Sequence, residues 1–411
     1  MRLSVFGVRG RSSGAPATTR DCGTCSGSAE TETSNVRARL LNLLRCPACL
    51  GTLELVPLVR SGADNEVAEG VLVCGCGASY PIINTIPRML GNAYALFPSF
   101  VAQYGSRAEV GSAAAAQTSA AAAPASVVTE TQRSFGYQWT TFSEMACDFQ
   151  ENFWNYLHPA TPEFFRGRLG LDAGCGFGRH LYHAASCGAE IVGMDLSQAI
   201  EASYQNTRRF PNVHLVQGDI HAPPFAPGVF DFVYSVGVLH HLPDPKRGVR
   251  SLVPLVKPDG SMFVWLYSTR RRFLNFGLEC IRSVTTRLPY GLVKGMSLVG
   301  ALVNAGFVLP YRALRALPGL GALIERITPP RIKLYSLYPF QVLHADWFDR
   351  LAAPIRFYYD GPEVAQLLQD AELSDISVAP TGLYGWRGCG IKRSSPSDAS
   401  RDIEEISVER A

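Results

Sequence analysis

The 411-residue chain has little excess charge of either sign: 38 Lys and Arg stand against 35 Asp and Glu, a net +3. So small an imbalance makes no polyelectrolyte field, which counts against a nucleic-acid partner. No run of about 18 uncharged apolar residues occurs, so no helix clearly spans a membrane. Near the start, Leu3, Val5, Phe6 and Val8 form a short apolar patch, interrupted by Gly7 and followed by Arg9 and Arg11. A secretory leader needs about 7–15 apolar residues, so none is expected. There is no internal repeat, and no nucleophilic triad is indicated. What is present suits a globular protein. With 47% hydrophobic and 18% charged residues, the chain can build a sizeable core and is neither disordered nor fibrous. The cysteines number eleven, an odd count, and four of them cluster as metal ligands do rather than as disulfides. A reducing cytoplasm is the expected location.

Composition divides the chain. Residues 1–37, rich in Ser, Gly, Thr and Ala, are expected to be disordered, as is the polar tail 394–411. Residues 38–97 form a block with two cysteine pairs. Residues 98–126, Gly-, Ser- and Ala-rich from 105 onward, read as a linker. The main domain runs over 127–393, with an apolar and basic insert at 270–345 broken by several prolines.

In the main domain, strand and helix patterns alternate. Strands are expected at Leu169–Ala173, Glu190–Met194, Val213–Val216, Phe230–Ser235 and Ser261–Leu266. Helices run through His183–Ala185 and over Ser197–Arg208 and Asp244–Val256. Strands separated by helices mean βαβ units and a mainly parallel, doubly wound α/β sheet. The first strand runs into Asp172-Ala173-Gly174-Cys175-Gly176-Phe177-Gly178. Glycines let the backbone approach a ligand, and the helix that follows offers free amides. Asp195 ends the next strand, 23 residues after Asp172, where a carboxylate can accept bonds from two ribose hydroxyls. Asp219 ends the third strand and can accept an exocyclic amine, leaving Ile220 to lie on a ring. Asp172, inside a buried strand, needs a partner that a ligand ammonium would provide.

These stretches together (LDAGCGFGRH, VGMDLS, QGDIHAPPFAPGVFDFVYSVGVLHHLPDP and LVPLVKPDGSMFVW) resemble the class I S-adenosylmethionine-dependent methyltransferases that act on small molecules and lipids. Phe135-Gly136-Tyr137-Gln138-Trp139 resembles the segment ahead of the domain in one bacterial branch. The resemblance implies a Rossmann-like seven-stranded sheet with an antiparallel last strand. It also implies that S-adenosyl-L-methionine is the cofactor. Asp172, Ala173, Gly174, Cys175, Gly176 and Gly178 would form its cradle, and Asp195 with Leu196 would hold the ribose. Asp219 and Ile220 would hold the adenine, and Ser235, Val236 and Gly237 would lie under the methionine end.

The loop Val238-Leu239-His240-His241-Leu242-Pro243 borders the methyl group and the acceptor in that family. A histidine titrating near neutral pH could take a proton there, so His240 and His241 are the candidate catalytic residues. Cys46, Cys49, Cys74 and Cys76 suit tetrahedral zinc. With Tyr80–Pro87 they resemble the small zinc-ribbon-like domain found ahead of bacterial methyltransferases. The second pair departs from that pattern, being C-x-C where C-x-x-C is usual, and Thr85 stands where glycine is common.

The expected activity is methyl transfer to a hydroxyl or carbon of a small or lipid-like metabolite. An RNA base methyltransferase and a non-catalytic cofactor-binding or scaffold protein are the alternatives. In the insert, residues 295–309 are uncharged and span about 22 Å as a helix, short of a bilayer core. This insert caps an apolar acceptor site, gives peripheral membrane contact with the arginines near headgroups, or is an ordinary helical elaboration, the last weighing as much as the other two together. Asp346–Leu351 resembles a segment that follows the insert in relatives and could line the acceptor pocket; a helix turn with an internal ion pair is the favoured reading. No oligomeric state is legible.

Overall fold

The structure, a computed structural model, describes residues 36–61, 66–120, 127–382 and 384–394. The end segments expected to be disordered fall almost wholly outside these residues.

Helix α1 (Val36–Leu43) precedes an antiparallel meander of β1 (Leu53–Ser61), β2 (Glu66–Cys74), β3 (Ser79–Ile83) and β4 (Ile86–Met89). Three helices follow: α2 (Ala93–Leu96), α3 (Pro98–Tyr104) and α4 (Ala108–Ala120). Here the structure departs from the expected linker over 98–126. Val110 and Ala114 of α4 are buried with Tyr94, Phe100 and Val71, so this Ala-rich segment is a helix covering one face of the meander. Composition alone cannot separate a solvated alanine helix from a docked one.

Next come α5 (Val127–Thr141), α6 (Gln150–Leu157) and α7 (Pro162–Phe165), ahead of the alternating region. That region runs β5 (Leu169–Ala173), α8 (Arg179–Ser186), β6 (Glu190–Asp195), α9 (Ala199–Thr207), β7 (Val213–Gly218), β8 (Phe230–Val236), α10 (Pro245–Leu252) and β9 (Val256–Tyr267). The insert is all helix: α11 (Arg272–Thr285), α12 (Tyr290–Arg315), α13 (Gly321–Ile327), α14 (Pro330–Tyr335) and α15 (Phe340–Ala352). Helix α16 (Gly361–Gln369), opened by a capping box between Asp360 and Glu363, leads into β10 (Leu373–Pro380) and β11 (Gly385–Lys392).

Strands β5 to β9 are parallel in the order β7-β6-β5-β8-β9, and β11 inserts antiparallel between β9 and β10. This is the Rossmann-like seven-stranded arrangement that the motifs implied. The chain order reverses between β5 and β8, which opens a crevice at the carboxyl ends of the strands, where ligands bind in such sheets.

The cysteine block is not a separate body. Strand β4 pairs in parallel with β7, Arg88 opposite Gln217 and Met89 opposite Gly218, so one eleven-stranded sheet runs from β1 to β10. Leu44 and Phe225 form a bridge, and Leu44, Leu72 and Met89 share one core with Leu171, Phe225 and Val233. Pairing with β4 covers β7, which would otherwise be an exposed sheet edge. Arg88, fully buried, donates to Gln217 Oε1 (3.2 Å) and Ile83 O (3.1 Å) and pairs with Glu201 of α9.

Candidate functional site

A cavity of about 730 Å³ lies over the carboxyl ends of the parallel strands, between α5, the β-strand loops and the insert. Its floor contains Gly174, Cys175, Gly176, Asp195 and Leu196, and further along Asp219, Ile220, Val236 and Gly237. Among the residues singled out from the sequence, Asp172, Ala173, Gly178, Ser235 and His240 do not line it. They form its support. Ser235 Oγ donates to Ala173 O at 2.8 Å, tying β8 to the end of β5.

The turn after β5 is built for close approach. Gly174 has φ +89°, and a Cβ there would stand 2.5 Å from Val238. Gly178 has φ +86°, and a Cβ would stand 2.6 Å from Ser203 Oγ, so only glycine lets α8 start against α9. The amide of Gly176 donates to Asp195 Oδ2 (2.9 Å), while Ser197 donates to Oδ1 through its amide (2.8 Å) and its hydroxyl (2.7 Å). Asp195 is thereby fixed at the cavity floor with carboxylate lone pairs still available. Burial raises its pKa, against the pull of these bonds. At Asp219 burial also opposes ionisation, but bonds from the His221 side chain and amide outweigh it and hold the carboxyl below its usual range.

Asp172 is a buried carboxylate with one oxygen, Oδ2, lacking any hydrogen-bond partner. Burial pushes its pKa up to about 8, although Tyr234 beside it acts the other way. An orphaned acidic oxygen beneath a glycine turn fits a ligand cation.

The two histidines of the β8 loop differ. His240 is fully buried, neither ring nitrogen has a partner, and its ring packs 3.9 Å from that of Tyr267. His241 lines the cavity, and its Nδ1 lies 2.7 Å from Ile355 O. A carbonyl can only accept, so Nδ1 carries the proton and Nε2 the lone pair. Titration near neutral pH, expected of both, is not what the structure gives: burial drives His240 well below its ordinary value and His241 to about 4. Both are neutral imidazoles at pH 7.

The far wall comes from Tyr267, from the Asp346–Leu351 segment and from Arg356 after it. Arg356 donates to Asp349 Oδ2 (2.8 Å), which also accepts from the Tyr267 hydroxyl (3.1 Å). Burial opposes the charge on Asp349, but Arg356 and His241 keep its pKa below the usual value. Asp346 and Arg350 form the i, i+4 ion pair considered for that segment, and both also line the cavity. Helix α5 forms a lid: Gln132 Nε2 donates to Leu196 O (2.9 Å), and the Trp139 ring packs 4.9 Å from that of Phe177, beside Gly176.

In the N-terminal sheet, the Sγ atoms of Cys46, Cys49, Cys74 and Cys76 all lie within 4.8 Å of one another. Cys46 and Cys76 are 3.8 Å apart, and Cys49 and Cys74 are 3.4 Å apart. Zinc–thiolate bonds of about 2.3 Å place tetrahedral sulfurs about 3.8 Å apart, so the four cysteines could hold a zinc ion. The short C-x-C pair closes because Cys74 ends β2 and the turn after it is tied by Gly77 N to Cys74 O (2.9 Å).

Residues 171–264 match the family described as "Methyltransferase domain", and residues 37–84 match "Trm112p-like protein". A ubiquinone biosynthesis O-methyltransferase of Xanthomonas euvesicatoria pv. vesicatoria is 30% identical over 176 residues, which cover 37% of this chain and 70% of that protein. The chain belongs to the S-adenosylmethionine-dependent methyltransferases. Another ubiquinone biosynthesis O-methyltransferase, from Methylococcus capsulatus, is 34% identical over 118 residues, covering 28% of this chain and 48% of its own length. A tRNA U34 carboxymethyltransferase of Pseudoalteromonas translucida is 35% identical over 113 residues, covering 26% and 34%. The chain spans between 31% and 48% of the first curated relatives it matches.

The cavity-lining residues that the motifs did not name are Tyr267, Arg356 and Gln132, whereas Trp139 and Asp349 fall within segments singled out from the sequence. The only sequence signals were the Phe135–Trp139 and Asp346–Leu351 segments. Nothing local announces that a lone arginine after the insert returns to the cavity.

Proposed function

We propose that this protein transfers a methyl group from S-adenosylmethionine to a hydroxyl or carbon of a small, lipid-like metabolite. One observation carries this reading: a single cavity joins the glycine turn, Asp195 and Asp219 to a wall of aromatic rings and closed ion pairs. The cofactor, when bound, supplies a methyl group activated on a sulfonium. The chain's part is to bind, align and exclude water. In this reading Gly174 and Gly176 admit the cofactor, and Asp195 accepts from the ribose. Asp219 and Ile220 take the adenine, and Asp172 lies beneath the glycine turn, where its carboxylate favours the cofactor's cationic end. Helix α5 closes over them, Trp139 shielding the glycine turn. A hydroxyl acceptor gives its proton to Nε2 of His241, while the Asp349–Arg356 pair keeps the neighbouring charge balanced. A carbon acceptor that is already nucleophilic needs no base.

Relatives named tRNA U34 carboxymethyltransferase favour RNA as a second reading. The test is incubation with methyl-labelled donor and a fractionated cell extract. Label is expected in the organic-solvent extract. Label confined to RNA would establish the second reading, and no labelled product in any fraction would overturn both.

A further inference from the structure

We propose that the insert helices α11 to α13 form a docking face for an anionic lipid bilayer, on which the protein rests without spanning it. Seventeen of the 23 large hydrophobic side chains exposed among the described residues lie between 273 and 327. Phe273 is 96% exposed and Phe276 71%. On α12, Leu292, Met296, Val299 and Val303 recur at helical spacing and are all exposed. The opposite face of α12 is the one that packs, Val293 with Phe348 and Ala301 with Leu343 of α15. The helix is therefore apolar on both sides, and only one side has a partner. An exposed apolar surface this extensive marks an interaction site.

Charge selects the partner. Residues 270–335 contain eleven Lys and Arg but only two acids, Glu279 and Glu325. Both acids are already paired inside the insert, with Arg282 and with Arg315 and Lys333. This segment carries +9 in a chain of net +3, so the rest of the chain is at −6. Arg270 and Arg272 lie just ahead of the exposed Phe273, and Arg312 and Arg315 close the C-terminal end of α12. Apolar side chains bordered by arginines suit the boundary between acyl chains and anionic headgroups. Nucleic acid would use the charge but not a stripe of Leu, Val and Met.

A transmembrane reading fits less well. By length and composition the 26-residue α12 could cross a bilayer, but its uncharged stretch between Lys294 and Arg312 is 17 residues, about 26 Å, at the short end of what a span needs. The side of α12 that packs on α15 would also carry Asp346, Asp349 and Arg350 into the bilayer. The helix therefore lies in the plane of the surface. Arg271, Asn275 and Leu278 of the same segment line the cavity. If the methyl-transfer reading holds, on which this consequence alone rests, docking places the acceptor side of the cavity next to lipid.

The test is flotation of the full chain with phosphatidylcholine vesicles, with and without phosphatidylglycerol, at low and high salt. Flotation is expected with the anionic vesicles and should fall at high salt. Phe273→Glu with Phe276→Glu should lower partitioning by about tenfold or more, and Arg272→Glu by about fivefold at low salt. Thermal melting and calorimetry with S-adenosylhomocysteine check that each variant is folded. The proposal is overturned if the wild-type chain stays soluble with every vesicle or binds neutral vesicles equally well. It is also overturned if the folded variants float like wild type, or if the face proves to bind RNA or a second copy and not vesicles. No arm reads methyl transfer, so failure here leaves the functional reading standing, and the reverse also holds.

Discussion

At the residue scale, two carboxylates of the cofactor end make opposite predictions. Asp195 is pinned by Gly176 and Ser197 with its oxygens toward the cavity. Its replacement by Asn removes a charged acceptor worth about 2–3 kcal/mol. Calorimetry should show S-adenosylhomocysteine affinity falling about 30- to 100-fold in Asp195→Asn, with little change in melting temperature. Asp172 works through protonation. Its folded pKa of about 8 lies above the unfolded value of about 3.9. Between those values the folded state binds the extra proton, so stability falls as pH rises from about 4 to about 8 and then levels. Asp172→Asn should flatten that profile in the ligand-free protein. A cationic ligand group favours the ionised form, so cofactor binding near pH 7 should release protons, read as a dependence of calorimetric heat on the buffer. His241 is neutral above about pH 4 because it is buried. A pH–rate profile should therefore show no inflection near 6.5 from this residue. For a hydroxyl acceptor, His241→Ala should still cost about 10²- to 10⁴-fold in kcat. Wild-type levels of kcat in that variant would remove His241 from the chemistry.

At the element scale, the unexpected feature is β4. Arg88 on this strand reaches Gln217, whose Nε2 donates to Leu196 O at 3.1 Å, next to Asp195. The same guanidinium neutralises Glu201 at the start of α9. A cysteine-bearing sheet thus holds the loop that presents Asp195 to the cavity. Arg88→Met should cost about 2–3 kcal/mol, less than a fully buried pair because Glu201 keeps access to water. Its cofactor affinity should fall as well; unchanged affinity in a folded variant would separate the strand from the site. This pairing also marks the limit of what could be read beforehand. Strands β5 to β9 were legible because buried parallel strands appear as apolar runs ended by glycine or aspartate. Asp195 and Asp219, which line the cavity, could be picked out because each stands at or just after the end of a strand. The β4–β7 pairing joins residues about 130 positions apart and leaves no local pattern. Arg356 reaches Asp349 and the cavity only after an insert of five helices, so its role depended on tertiary structure. His240 and His241 were indistinguishable as neighbours in sequence; the fold separates them, since His241 lines the cavity and bonds to Ile355 O while His240 is buried against Tyr267.

At the scale of the whole molecule, the described residues from Val36 to Ser394 form one compact unit, and the cysteine sheet and methyltransferase sheet share a core. A shared core with continuous strand pairing should unfold cooperatively, unlike two domains joined by a linker. Differential scanning calorimetry should therefore show one transition for the metal-loaded protein. A ligand that binds only the folded state stabilises it by about 2.7 kcal/mol at a hundred times its Kd. For a unit this large that corresponds to a rise of about 3–5 °C. S-adenosylhomocysteine should shift the single peak by that amount. If Cys46, Cys49, Cys74 and Cys76 hold zinc, a strong chelator should lower the same peak rather than reveal a separate one, because loss of the metal loosens β2 to β4 and, through β7, the sheet beside them. Two resolved transitions, with the chelator moving one and the cofactor product the other, would mean that β4–β7 pairing does not couple the two halves.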